Sequence, residues 1–251
     1  MVDNRCSTIN ETRYVYTVSS VQDLVNQAII SIKSLSNFVD PSDIIVFFTP
    51  PIKDKDVKSL KKLGVDVREI DHYASAMAKV PGGVPRYFAD KLHLCSVRAK
   101  SVVFLDADTI VLDDPTEIIT RADLRARPGN LNYSITEWDR IAVNQSVNLL
   151  EWMPNTGVLA FNNGSHQIIE QKWADALAFG SKTDKQWTEQ HALAVAASEL
   201  DVSKLSNKEH VMLWRDEYPF DGVVYHSGDK WQAKSTDSMF SKFYRYFNPF
   251  F

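Results

Sequence analysis

The sequence predicts an α/β fold in which helices cover both faces of one mostly parallel central sheet. Strand-like and helix-like segments alternate through the first half of the 251-residue chain. The strand-like segments are continuous apolar runs, as expected for strands buried on both faces. No internal repeat or long linker divides the chain, so we expect residues 1–251 to form a single domain.

The first half contains four strand-like runs, each ending at a turn signal or before a polar segment. These runs are residues 13–18, 44–49, 65–70 and 101–105. Between them, apolar residues recur at helical spacing in residues 24–35, 54–63 and 88–95. The resulting β-α-β-α-β-α-β order predicts right-handed crossovers between parallel strands.

The second half is less regular, but it also contains both kinds of segment. Residues 133–138, 157–162 and 222–225 are strand-like, and helices are expected after Ser165 and over residues 187–200. Ligands of open parallel sheets bind beyond the carboxyl ends of the strands. We therefore expect the ligand-binding and catalytic residues to follow Val18, Thr49, Ile70 and Leu105.

Composition excludes several classes of protein. With 28 basic and 32 acidic residues the net charge is −4, which argues against a nucleic-acid partner. No run approaches the roughly 18 apolar residues of a membrane-spanning helix. The N-terminus lacks the apolar core of a signal peptide, and Cys6 and Cys95 are too few for a disulfide framework. We expect a cytoplasmic protein.

The most informative motif is FLDADTIVLDDP at residues 104–115. Asp106 and Asp108 follow the fourth strand directly, and side chains two apart in an extended segment point to the same face. Two such close carboxylates repel each other unless a positive group lies between them. A hard divalent cation with oxygen ligands satisfies this requirement. The alternative is a strand end followed by capping and turn aspartates, which is our interpretation of Asp113 and Asp114.

Two enzyme classes use a strand followed by D-x-D to bind metal. In phosphatases of the haloacid-dehalogenase type, the motif usually lies near the N-terminus, with Thr or Val two places after the second Asp. Here the motif begins at Asp106 and Ile110 occupies that place. No convincing downstream Lys and paired-acid motif follows, so this hydrolase is the second choice.

The chain resembles family 8 of the glycosyltransferases, which includes glycogenin and bacterial lipo-oligosaccharide galactosyltransferases. Four segments occur in the order of that family and together extend the resemblance from about Tyr14 to Trp231. They are DKLHLCSVRAKSVVFLDADTIVLDDP at 90–115, NTGVLAFN at 155–162, TEQ at 188–190 and YHSGDKW at 225–231. The resemblance implies a GT-A fold, with a nucleotide-binding half at 13–120, a donor-sugar and acceptor half at 130–231 and an aromatic tail at 232–251.

The resemblance implies a metal held by Asp106, Asp108 and His226, bridging the phosphates of a nucleoside diphosphate. One imidazole with two carboxylates suits Mn²⁺ better than Mg²⁺, because a nitrogen ligand favours the softer ion. The other five histidines share no ligand spacing and are expected to be structural. They are His72, His93, His166, His191 and His210.

The resemblance also implies residues that contact the donor. Lys91 would contact the donor phosphate or sugar, Arg86 is a weaker basic candidate, and Glu189 or Gln190 would approach the anomeric carbon. The family has Asp where this chain has Glu189. Other expected donor contacts are made by short polar, small or strand-end residues, namely Thr17, Val18, Ala107, Asn155, Thr156 and Gly157.

One departure from the family lies in the last motif. The family pattern is His, two residues, Gly, two residues, Lys, Pro, Trp, whereas this chain is two residues shorter and lacks the Pro. Gly228 would allow the backbone to approach a phosphate, and Lys230 would supply charge to it. The shorter loop makes these two assignments weaker than that of His226.

The sequence therefore predicts a metal-dependent hexosyltransferase that uses a UDP-sugar, with UDP-glucose or UDP-galactose as the expected donor. The resemblance implies retention of anomeric configuration and a carbohydrate, glycolipid or glycoprotein acceptor. The phosphatase and a non-catalytic nucleotide-sugar-binding module remain as alternatives. The basic and aromatic tail at 232–251 either contacts a membrane surface or packs on the core.

Overall fold

The computed structural model describes residues 12–21, 23–73, 86–129, 149–180, 188–216 and 221–227. Its strands are β1 Thr12–Ser19, β2 Ile44–Thr49, β3 Asp66–Glu69, β4 Ser101–Leu105, β5 Thr109–Val111, β6 Leu124–Pro128, β7 Pro154–Phe161, β8 Val202–Lys204, β9 His210–Met212 and β10 Val224–His226. Its α-helices are α1 Leu24–Leu35, α2 Asp54–Lys61, α3 Arg86–Ala89, α4 Ser165–Ile168, α5 Glu170–Gly180 and α6 Thr188–Ala196. No helix among these residues is long and apolar enough to cross a bilayer.

A seven-stranded sheet in the order β3-β2-β1-β4-β7-β6-β8 forms the centre of the fold. The pairs β3–β2, β2–β1, β1–β4 and β6–β8 are parallel, whereas β7 is antiparallel to both of its neighbours. The mostly parallel α/β sheet predicted from the sequence is confirmed. A smaller sheet in the order β5-β10-β9 lies at the carboxyl end of β4, and it carries part of the candidate site.

The continuous apolar strands are explained by packing on both faces of the large sheet. All six residues of β2 are buried. Ile45 and Phe47 belong to the apolar cluster that contains α5 and α6 residues such as Trp173. Ile44, Val46 and Phe48 belong to the opposite cluster, which contains residues of α1 and α2. Burial of both faces leaves no polar alternation in these strands.

The predicted strands at 44–49 and 101–105 have the predicted bounds, whereas other elements differ. The helix expected over 88–95 is instead the single turn α3 followed by a 3₁₀ helix at Asp90–Ser96. The fully buried carboxylate of Asp90 accepts from Tyr73 N at 3.0 Å and contacts His72 Nδ1 at 2.9 Å. These tertiary hydrogen bonds hold the segment against His72 and Tyr73, which follow β3, and they outweigh its preference for an α-helix.

Three further differences concern the second half. The strand expected at 157–162 begins earlier, so that Asn155 and Thr156 lie inside β7 rather than before it. The helix expected after Ser165 is confirmed, as the single turn α4 followed by α5. The helix expected at 187–200 is also confirmed, as α6 followed by a 3₁₀ turn at Ala197–Glu199. The strand expected at 133–138 lies outside the described residues.

Candidate metal centre

Strand pairing brings the D-x-D turn and His226 together. Asp106 follows β4, Asp108 precedes β5, and β5 pairs antiparallel with β10 so that Thr109 lies opposite His226. The turn is fixed by hydrogen bonds from Asp106 N to Gly157 O (2.8 Å) and from Ser227 N to Asp108 O (3.1 Å). The two acids and the imidazole are therefore held by three strands, although more than a hundred residues separate them in sequence.

Asp106, Asp108 and His226 each direct one ligand atom into a common space, and these atoms lie within 4.8 Å of one another. His226 Nε2 is 3.2 Å from Asp108 Oδ1 and 3.8 Å from Asp106 Oδ2. Two carboxylates and one imidazole are a donor set that suits Mn²⁺ and related divalent ions. The residues present therefore fit a metal ion, as the sequence predicted for all three.

Lys91 lies beside this cluster and is almost completely buried. Its Nζ is 2.9 and 3.0 Å from the two carboxylate oxygens of Asp106. The same ammonium donates to Thr156 Oγ1 at 3.1 Å and to Thr156 O at 3.3 Å. The lysine predicted for the site therefore lies beside the cluster of Asp106, Asp108 and His226, where it compensates one of the two negative charges.

The charges of the cluster shift the pKa values of its members in opposite directions. Burial disfavours the charged form of both Asp108 and His226, but their mutual attraction outweighs it. The pKa of His226 is consequently raised above its ordinary value, with help from Asp106. The pKa of Asp108 is lowered, with help from the Ser227 hydroxyl at 3.1 Å and from Lys91. The site thus favours a positive group between its carboxylates.

Gly157 lies directly against the imidazole of His226. A Cβ atom at this position would be 2.0 Å from His226 Cε1 and 2.4 Å from Nδ1. The sequence predicted that Gly157 allows close approach of the donor sugar. The structure shows that its missing side chain makes room for His226, and contact with a sugar stays a prediction.

The other predicted polar residues line the adjoining wall of the site. Asn155 Oδ1 accepts from Gly157 N at 2.9 Å, so the side-chain oxygen of Asn155 is bonded to the backbone of its own strand. Thr156 Oγ1 lies 3.4 Å from Glu189 Oε1 and links Lys91 to Glu189. Glu189 and Gln190 are both buried in the first turn of α6. Asn155, Thr156 and Glu189 therefore lie near the cluster and Gln190 follows Glu189 in the same helical turn, while the contacts of all four with a substrate stay predictions.

Glu189 is a buried carboxyl of which only one oxygen is hydrogen-bonded within the described part of the chain. Glu189 Oε2 has no hydrogen-bond partner within the described residues. Burial raises the pKa of this carboxyl, and the nearby Lys91 ammonium offsets the increase only in part. Glu189 Oε2 could therefore accept a hydrogen bond from a hydroxyl group of a ligand bound beside Asp106, Asp108 and His226.

The remaining predicted residues are placed less directly. Thr17 and Val18 lie at the carboxyl end of β1, which runs parallel to β4, and the Val18 side chain packs into the core. Ala107 is also buried in the core between the two aspartates. The backbone of Arg86 begins α3, but its side chain lies outside the described residues, as do Gly228 and Lys230.

Sequence reasoning missed Ser227 and His210, whose side chains form hydrogen bonds with the predicted ligands. Ser227 binds Asp108 through its hydroxyl, and its place directly after His226 in the YHSGDKW motif was the available signal. His210 was expected to be purely structural, yet its Nε2 lies 3.2 Å from His226 Nδ1. No spacing predicts this contact, because it depends on the parallel pairing of two three-residue strands, β9 and β10.

Comparison with solved structures identifies the fold. The galactosyltransferase LgtC, solved in complex with donor and acceptor sugar analogues, is 17% identical, with a TM-score of 0.66 over 93% of this chain and 94% of its own. An active-site mutant of LgtC gives 15% identity and a TM-score of 0.68 over 94% and 95%. The glycosyltransferase GlyE of Streptococcus pneumoniae gives 17% and 0.62, over 94% of this chain and 60% of GlyE.

No protein-family model and no curated protein sequence matches the chain. The likeness to solved structures is therefore one of fold, at identities of 15–17%. It confirms at that level the resemblance predicted from the four motifs. This chain has the GT-A fold of the glycosyltransferases that its motifs resemble.

Proposed function

We propose that the protein is a metal-dependent glycosyltransferase that moves a hexose from a UDP-sugar to an acceptor hydroxyl. The observation that carries the proposal is the convergence of Asp106, Asp108 and His226 at the carboxyl end of β4 in a GT-A fold. We propose Mn²⁺ as the ion, UDP-glucose or UDP-galactose as the donor, and retention as the stereochemical course. The cytoplasm is the proposed compartment.

When bound, a divalent ion would supply positive charge to the diphosphate leaving group. The protein side chains account for the remaining requirements. Asp106, Asp108 and His226 would hold the ion, while Lys91 compensates Asp106 and keeps that carboxylate in place. In a cluster already containing two carboxylates, an ammonium also reduces the repulsion that an incoming anionic phosphate meets.

The wall formed by Thr156, Glu189 and Gln190 is the proposed position of the donor sugar. Thr156 offers a hydroxyl, and Glu189 offers an acceptor oxygen with no partner within the described residues. Both groups match the hydroxyl-rich surface of a hexose. A carbohydrate acceptor is proposed because LgtC was solved with an acceptor sugar analogue as well as a donor analogue. A glycolipid or glycoprotein would present the same chemistry.

A panel of nucleotide sugars tests the proposal. The full chain is incubated with Mn²⁺ and each of UDP-glucose, UDP-galactose, UDP-GlcNAc and GDP-mannose, and release of the free nucleotide diphosphate is measured. We expect release from UDP-hexoses that disappears with EDTA and returns with Mn²⁺. The proposal would be contradicted by two results together. None of these donors would release its nucleotide diphosphate, with or without simple sugar acceptors, and the protein would not bind Mn²⁺–UDP.

Asp106→Asn and Asp108→Asn test the site itself. Each should reduce turnover by about a hundredfold or more, as expected when a group that organises transition-state charge is removed. Asp114→Asn is the matched control, because Asp114 caps the 3₁₀ helix Pro115–Ile118 and Asn retains that function. Unchanged turnover in a folded Asp108→Asn variant would exclude the metal assignment, and a covalent phosphate on Asp106 would indicate the phosphatase alternative.

A further inference from the structure

His210 is a buried histidine that contacts the imidazole proposed to hold the metal. Its side chain is 0% exposed, and its Nε2 lies 3.2 Å from His226 Nδ1. The two rings are stacked, with centroids 5.4 Å apart and planes 25° apart. Trp214 forms a T-shaped contact with the same His226 ring, with centroids 4.9 Å apart and planes 83° apart. His226 is thus enclosed by Gly157, His210 and Trp214.

The orientation of His226 determines the direction of this hydrogen bond. Its Nε2 faces Asp106 and Asp108, so Nε2 is the atom available to a metal ion. A metal-binding nitrogen must present a lone pair, which leaves the ring proton on Nδ1. In the described structure His210 Nε2 is the acceptor within hydrogen-bond distance of that proton. His210 must then carry its own proton on Nδ1.

The position of His210 is set through its backbone. His210 O accepts a hydrogen bond from Arg127 in β6, and His210 N donates to Ser206 O at 3.2 Å. In contrast, His210 Nδ1 is buried with no partner within the described residues. The backbone contacts thus fix the place of the ring, and its Nε2 is directed at His226 Nδ1.

We propose that His210 is a positioning residue that accepts a hydrogen bond from His226 Nδ1 and so fixes the tautomer and ring orientation in which His226 Nε2 binds the metal. The inference rests on the proposed function, since it requires a metal at Asp106, Asp108 and His226. Groups that hold the distal nitrogen of a metal-binding histidine typically change metal affinity by about 10- to 100-fold when removed.

The dissociation constant for Mn²⁺ alone, measured from the electron paramagnetic resonance signal of the free ion, tests this role without any turnover. His210→Leu removes the acceptor and should weaken Mn²⁺ binding about tenfold. His210→Gln places Oε1 near the former Nε2 and should retain affinity within about threefold, because an acceptor is restored. His166→Leu is the matched control, since His166 is equally buried but bonds to Val97 O, away from the cluster.

The outcomes separate this inference from the proposed function. If Asp108→Asn leaves Mn²⁺ affinity unchanged, the metal site and this inference both fail. If Asp108→Asn abolishes binding while folded His210→Leu binds as wild type does, only the role of His210 is overturned. Should His210→Leu not fold, ¹⁵N shifts of the histidine rings in wild-type protein saturated with Mg²⁺ decide: His210 Nε2 should be unprotonated, and a proton there overturns the inference.

Discussion

A single missing side chain, that of Gly157, determines whether His226 can lie between the two aspartates. The ring occupies the space that any Cβ at position 157 would need, with three ring atoms within 2.8 Å of that point. Gly157 also connects the cluster to β7, because its carbonyl accepts from Asp106 N. Gly157 therefore shapes the cluster of Asp106, Asp108 and His226 through the space it leaves and through its backbone carbonyl, rather than through a functional group.

Gly157→Ala should fold but weaken Mn²⁺ binding about tenfold or more, because the added methyl displaces the His226 ring. Forcing a methyl into a packed site also costs about 1–3 kcal/mol of stability. Calorimetric titration with Mn²⁺ measures the first effect and urea unfolding the second. Gly129→Ala is the control, since its nearest neighbours would be 3.4 Å away. Normal Mn²⁺ affinity with a raised KM for the donor would instead assign Gly157 to the sugar.

At the scale of single residues, the sequence predicted which side chains converge beyond β4 but not what holds them there. Asp106, Asp108 and Lys91 could be found because they belong to one local motif, and His226 because the family resemblance named it. His210 could not, since its role depends on which strand lies beside β10. Contacts between distant short strands leave no periodic signal in either segment.

At the scale of elements, α1 supports the D-x-D turn through buried hydroxyl groups. Ser31 Oγ lies 2.9 Å from Tyr16 OH and 2.8 Å from Thr109 Oγ1, and Thr109 Oγ1 in turn donates to Asp106 O. Ser34 Oγ accepts from Val111 N at 2.9 Å. One face of the helix thus satisfies polar groups of β5 that would otherwise be buried unpaired.

Ser31→Ala should lower the free energy of unfolding by about 1–3 kcal/mol, because the fully buried Tyr16 hydroxyl loses its bond to Ser31. Ser36→Ala is the matched control on the same helix. Its half-buried hydroxyl, at the C-cap, donates to Ile32 O in the preceding turn and has no other hydrogen bond among the described residues, so we expect a change within about 0.5 kcal/mol. Urea unfolding monitored by circular dichroism compares the two. Equal losses would show that the buried hydroxyl chain adds nothing to stability.

The elements that could be predicted are those with long apolar patterns. Ile44–Thr49 and Ser101–Leu105 were predicted with their observed bounds, because every residue in them is buried. β6 was missed because its LRARP sequence places two arginines in a strand. β5, β8 and β9 have three residues each, too few to show a period. The division into halves at 13–120 and 130–231 stays a prediction.

At the scale of the whole molecule, the two arginines of β6 join the large sheet to the small one. Arg125 forms two bonds to the Glu209 carboxylate, at 2.6 and 3.1 Å, just before β9. Arg127 binds Asp216 just after β9 and also donates to His210 O. The guanidinium groups therefore hold both ends of the strand that supports His226. Fixed, bidentate pairs of this kind restrict orientation as well as distance.

This connection predicts how stability depends on pH. The Asp216 carboxyl is partly buried, yet the bonds from Arg127 and Met212 N, with the nearby charge of Arg215, lower its pKa. A carboxyl whose pKa is lowered on folding contributes stability above its unfolded value of about 3.9, and this contribution is lost as pH falls through the folded value. Glu209, with its pKa lowered by Arg125, contributes with the same sign.

The contribution of these carboxylates to the free energy of unfolding should therefore be fully present above about pH 5 and be lost progressively below it, with a smaller loss below pH 5 in Asp216→Asn. At pH 7 this variant should be less stable by about 3 kcal/mol, because the buried Arg127 loses its counter-charge. Urea unfolding from pH 7 to pH 3 measures both effects. Asp175→Asn, on the exposed face of α5, is the control and should follow the wild-type curve. If the free energy of unfolding of Asp216→Asn depends on pH as that of wild type does, the Arg127–Asp216 pair does not contribute to the pH dependence of stability.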